Sequence, residues 1–123
     1  MSEGVRLIRS ADLTQGPATP GMERLEAFAD DSLWMGDVQA APGSVSGWHH
    51  HGEHSTVGRV VSGTLRFEFG SGGEESVEVG PGDYFVVPPG VVHREGNPGT
   101  DDGLVVLVRR GTGPTVVNVD GPA

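Results

Sequence analysis

The greatest concentration of reactive side chains in this sequence is a histidine cluster. Four of the five histidines fall within Trp48-His49-His50-His51-Gly52-Glu53-His54, and the fifth is His93. A neutral imidazole offers one nitrogen lone pair, and several such donors gathered at one point suit a metal ion. If the cluster lies on a strand, side chains two apart share a face, so His49 and His51 point together and His50 points away. Two imidazoles hold a metal weakly, so a third donor has to come from another strand. His93 follows the turn Pro88-Pro89-Gly90 in an extended setting and is the natural third. His54 could join if its loop folds inward, whereas Glu53 reads as a solvated loop carboxylate. A His-rich surface turn that binds nothing is the plain alternative.

These side chains need strands to position them, and the chain reads as strands almost throughout. Short apolar runs at 33–40, 45–51, 55–61, 64–69, 75–79, 84–87, 104–110 and 115–119 are rich in Val, Phe and Tyr and are bounded by turns. Leu65, Phe67 and Phe69 alternate with Arg66 and Glu68, the period of a strand with one face on a core. Among the 123 residues, 21 Gly and 9 Pro punctuate these runs as turns. Residues 22–29 fit either a short helix or an edge strand, Val5–Arg9 could form a strand, and the first twenty residues and Asp120–Ala123 read as arms. At least eight short strands without a long amphipathic helix predict an all-β sandwich or a small closed barrel.

Composition narrows the function. The length suits one domain. There is no cysteine, which excludes disulfides, thiol nucleophiles and Cys-ligated metals. A formal net charge of −9 disfavours nucleic acid and anionic membrane surfaces as partners. No apolar run approaches the length of a membrane span, and Met1-Ser2-Glu3-Gly4 lacks the character of a signal peptide, so a cytoplasmic protein is expected. The segment near Leu7, Ile8, Leu25, Phe28 and Trp34 is apolar enough to pair across a two-fold axis, which predicts a homodimer. Gly70-Ser71-Gly72-Gly73 lacks the context of a phosphate loop and reads as a hairpin turn, and there is no nucleophile elbow.

Two spacings carry a resemblance. Gly43, five residues, His49-x-His51, four residues, Thr56, six residues, Gly63 is similar to the first motif of the cupin superfamily. Gly82, five residues, Pro88-x-Gly90-x-x-His93-x-x-x-Asn97 matches its second motif at every defined position. The resemblance is to small single-domain cupins. It implies a jelly-roll β-barrel over one domain, residues 1–123, with a core at about 33–119 and motifs at 43–63 and 82–97. It also implies metal ligands at His49, His51 and His93, while the glutamate position of the first motif holds Thr56. A threonine hydroxyl is a poor ligand, so three imidazoles without a carboxylate are expected, with His54 or Thr56 as possible additions and open positions for water or an anionic substrate.

The ion implied is divalent, of iron, zinc, nickel or copper type. The activity implied is metal-dependent chemistry on a small organic molecule, of dioxygenase or lyase/isomerase kind, and a non-catalytic module that binds metal or a small ligand is the alternative. No residue is assigned a catalytic role. Alternation from Thr56 turns Gly58 and Val60 inward and Arg59 outward, and with Phe67 and Val91 this predicts a mostly apolar pocket. Asn97 is expected to bond a turn backbone, and Tyr84, Trp34 and Trp48 to pack.

Overall fold

The strands assemble into two antiparallel sheets whose inner faces share one hydrophobic core. The computed structural model describes residues 4–16 and 22–122. A 3-10 turn at Ser10–Asp12 leads into β1 (Thr14–Gln15), β2 (Glu23–Ala29), β3 (Leu33–Ala40), β4 (His49–His50), β5 (Ser55–Ser62) and β6 (Leu65–Phe69). After a second such turn at Ser71–Gly73 come β7 (Glu75–Val79), β8 (Tyr84–Val87), β9 (His93–Gly96), β10 (Gly103–Arg110) and β11 (Val117–Asn118). One sheet runs β1-β2-β3-β10-β5-β8 and the other β11-β4-β9-β6-β7. This is the all-β jelly-roll barrel that the strand pattern and the motif resemblance imply, with short terminal arms.

Period-2 alternation decides what each sheet buries. On β10, Val105, Leu107 and Arg109 face inward while Val106 and Arg110 face outward. On β3, Trp34, Val38 and Ala40 are buried. With Val60, Leu65, Phe67, Val79 and Val87 these residues form the apolar filling between the sheets. Register then sets the polar contents: Arg109 on β10 stands opposite Trp34 on β3 and Thr56 on β5. The inward positions of β10 and β5 thus change from aliphatic to polar near one end, beside Trp34 of β3.

Residues 23–29, for which helix and strand both fitted, form β2, and a register shift between Glu26 and Phe28 explains why neither period fitted cleanly. Val5–Arg9 forms no strand. Of the run 45–51 only His49–His50 pairs as a strand, because Ser46 follows β9 through its own bonds: its amide donates to Glu95 O (2.7 Å) and its hydroxyl accepts from Glu95 N (2.9 Å). The segment proposed for dimerisation divides: Trp34 is buried in the core, Leu25 and Phe28 are half-buried, and Leu7 is exposed. The parts of the N-terminal arm at 1–3 and 17–21 lie outside the described residues.

Gly36 lies in β3 opposite Glu26, beside the register shift of β2. A Cβ there would collide with the Leu25 carbonyl oxygen and come within 2.6 Å of the Trp34 ring. Because a backbone atom cannot step aside as a side-chain tip can, Gly36→Ala should destabilise the fold by about 1–3 kcal/mol, the usual cost of overpacking. Urea denaturation followed by tryptophan fluorescence measures it, and an unchanged midpoint would mean that β2 yields.

Candidate metal centre

His49 and His93 are direct register partners across β4 and β9, and His51 follows two positions after His49. All three are buried, and their ligand nitrogens lie within 4.8 Å of one another. The turn before β9 aims His93: Gly90 has φ +75°, a left-handed conformation that side-chain-bearing residues rarely adopt, and Val91 N bonds back to Pro88 O. His50 points elsewhere, half-buried, and accepts a bond from Gly52 N at 3.0 Å.

Each ring of the trio meets a backbone carbonyl through Nδ1: His49 with Gly47 O (2.9 Å), His51 with Thr115 O (2.7 Å) and His93 with Val91 O (2.9 Å). A carbonyl only accepts, so Nδ1 carries a proton and Nε2 is the atom turned toward the centre, the orientation used by metal-ligating histidines. Burial, aided by the Arg109 charge, lowers the His51 pKa to about 2, so this imidazole stays neutral. Among the described residues the Nε2 atoms of His49 and His93 are fully buried without a hydrogen-bond partner. Buried acceptors left unmatched are costly, and convergence of the three on one point is a chemical fit to a metal ion.

The structure adds three charged groups that the sequence reading left out. Glu95 is buried on β9, two residues after His93 and therefore on the same face, with Oε1 3.6 Å from His49 Nε2 and Oε2 3.6 Å from His93 Nε2. Burial alone would raise its carboxyl pKa, but His49 and His93 beside it hold it well below the usual carboxylate range. Arg24 on β2 forms an ion pair with Glu95 Oε1 at 3.8 Å. Arg109 is also buried, its guanidinium carbon 5.1 Å from the Trp34 ring centre, and its Nε and Nη1 have no hydrogen-bond partner among the described residues. Burial, with the like charge of Arg24, lowers the Arg109 pKa to about 9, so it remains a cation at neutral pH.

Of the other candidates, Thr56 is buried with its Oγ1 unpartnered. His54 is buried with Nδ1 3.1 Å from His51 O, and it is not one of the three histidines that converge. Glu53 is exposed, as expected of a loop carboxylate. Arg59 points outward and lies over the Tyr84 ring, while Asn97 bonds backbone as expected. Beside the histidines a cavity of about 340 Å³ is lined by Phe67, Phe69, Phe85, Val87, Val91 and His93, among others. Phe67 and Val91 were anticipated there; Val60 instead belongs to the solid core, and Gly58 stands behind Phe85 as the small residue that makes room for its ring. Among the described residues no helix is long and apolar enough to cross a membrane.

Comparison with known proteins agrees with this architecture. The chain is 34% identical over 102 residues to a germin-like protein, subfamily T member 3, of Arabidopsis thaliana, covering 81% of this chain but 42% of that relative. It superposes with a TM-score of 0.69 and 27% identity on an oxalate oxidase solved with the substrate analogue glycolate, covering 81% of this chain and 56% of that one. An uncharacterized protein with a double-stranded β-helix domain from Klebsiella pneumoniae shares the fold at a TM-score of 0.71 and 20% identity, over 85% of this chain and 84% of the other. Residues 36–109 match the cupin domain family, and with both motifs placed on the strands described above, the chain belongs to the cupins.

Proposed function

We propose that this protein binds one divalent metal ion through Nε2 of His49, His51 and His93 and acts on a small organic acid at that ion. The observation that carries the reading is the convergence of three buried imidazoles whose protons are all committed to backbone carbonyls. Such an ion supplies Lewis-acid polarisation of a bound oxygen or, for iron, nickel or copper, one-electron chemistry of the kind dioxygenases use.

The protein's own groups do the remaining work. Phe67, Phe85, Val87 and Val91 keep bulk water from the approach beside His93 and favour a ligand with an apolar portion. Arg109 offers two buried nitrogens that no described residue hydrogen-bonds, which suits an acidic group on the ligand. The likeness to an oxalate oxidase that holds glycolate supports a small acid of this type. We propose in addition that one cupin domain occupies the chain and that it works as a homodimer; sedimentation at micromolar concentration checks the latter, and a compact monomer would count against it.

The reading is tested on untagged protein. Elemental analysis should find close to one metal ion per chain. After anaerobic loading with iron(II), glycolate and related hydroxy acids should perturb the metal's optical spectrum, and admitting dioxygen should consume at least one of them over many turnovers. Absence of metal in the purified and in the reloaded protein would overturn the proposal. Reversible binding of acids with no turnover by iron, zinc, nickel or copper would make the protein a binding module instead.

A further inference from the structure

The position from which the resembled pattern draws a carboxylate holds Thr56, yet the interior is not without one. Glu95 reaches the histidines from a different strand, and how it reaches them is informative. Both of its oxygens are engaged: Oε1 lies 3.6 Å from His49 Nε2 and Oε2 lies 3.6 Å from His93 Nε2. Neither contact is within hydrogen-bonding distance, and among the described residues both Nε2 atoms are buried without a hydrogen-bond partner while Nδ1 of each ring faces a backbone carbonyl at 2.9 Å. Carboxylate oxygens and imidazole nitrogens therefore face one another across a buried gap. A cation held in that gap would engage all four atoms.

Separation agrees with that. Two donors held about 2.1 Å from one ion stand roughly 3.4 Å apart in a tetrahedron. The two 3.6 Å spacings, one from each oxygen, are within a few tenths of an ångström of this value. The three histidines already have their ligand atoms within 4.8 Å of one another, and the Glu95 carboxylate has to turn toward them to bring a single oxygen into that group. The alternative role for Glu95, a counter-ion to the buried arginines, accounts for less. Arg24 pairs with Oε1 at 3.8 Å, outside hydrogen-bonding range, and that contact does not explain why Oε2 faces His93.

We propose that Glu95 is the fourth protein ligand of this centre, so that the anionic donor is delivered from β9 beside His93 and not from position 56 on β5. This rests on the metal reading above. The site is then three imidazoles and one carboxylate, which neutralises half the charge of a divalent ion, and it joins His93 and Glu95 as a ligand pair on a single strand face. Thr56 stands on the opposite sheet beside Arg109, its register partner.

The test uses full-length untagged protein and zinc, with affinity read by competition against a chromophoric chelator. Glu95→Gln should weaken zinc binding by about a hundredfold, at the upper end of what even an indirect partner of a metal ligand is worth. Glu68→Gln, on the outer face where Glu68 pairs with Arg94, should leave it unchanged. In the Glu95→Gln background, Thr56→Glu should recover at least tenfold by returning a carboxylate from the other strand. Should Glu95→Gln fail to fold, a crystal structure of the zinc-loaded unmodified protein decides the matter, with a Glu95 oxygen expected about 2.0–2.2 Å from the ion. Equal affinity in Glu95→Gln and unmodified protein, or an ion bound by the histidines with Glu95 more than about 3 Å away, would overturn the inference while leaving the three-histidine site intact. If unmodified protein takes up no zinc, iron or cobalt, it is the metal reading itself that fails.

Discussion

His93→Ala should abolish stoichiometric metal binding, lowering affinity at least a hundredfold, while His50→Ala should leave about one ion per chain. Loss of an outer partner of a metal ligand already costs about 10–100-fold, and losing the ligand itself costs no less. His93 is the strand neighbour of His49, with ring centres 4.4 Å apart, so its removal opens a gap on one side of the remaining pair. His50 makes its one described side-chain bond to Gly52 N, away from the trio. Inductively coupled plasma mass spectrometry on the dialysed variants reads the difference. Equal metal loss in the two variants would refute the assignment of strand faces on which the site is built.

Asn97→Ala should produce the largest loss of stability among substitutions away from the histidines, about 3 kcal/mol, or roughly 10 °C in Tm for a chain of this size. Its amide makes three bonds and ties the loop after β9 to the end of β3: Nδ2 donates to Ala40 O (3.0 Å) and to Asp101 O (2.7 Å), and Oδ1 accepts from Gly99 N (3.0 Å). The side chain is buried, so truncation leaves the Ala40 carbonyl without that partner at the end of β3, where Ala40 itself is buried. A net bond is worth about 1 kcal/mol, and an orphaned buried acceptor adds about 1–3 kcal/mol. Calorimetry on metal-free protein measures the effect directly. A shift of under about 3 °C would mean that water replaces the amide.

Much of the site follows from a rule of period two, and its failures come from not carrying that rule far enough. The rule separates His49 and His51 from His50 and turns Arg59 outward, in agreement with the burial along β4 and β5. Carried from His93 to Glu95 it finds the buried carboxylate as well. The strand His93-Arg94-Glu95-Gly96 escaped notice because it contains no aliphatic residue, and its buried positions carry a histidine and a carboxylate instead. Arg24 and Arg109 were invisible for a related reason: a charge on a strand ordinarily marks the solvent face, and only the facing sheet, with Glu95 on it, makes its burial tolerable. The partner of His51, Thr115, lies 64 residues away and no local pattern announces it.

That last contact has a consequence for exchange rates. Thr115 precedes β11, which pairs with β4 at just two positions, Val117 with His50 and Asn118 with His49, and a single further bond joins Val119 N to Trp48 O. So few bonds let this segment peel from the barrel by thermal fluctuation, with a local opening free energy far below that of global unfolding. When it lifts, His51 loses the carbonyl that holds its tautomer and orientation. With an ion held as proposed, its capture and release would be timed by opening of this segment, so the off-rate of the metal should rise as hydrogen-exchange protection of the Val119 amide falls.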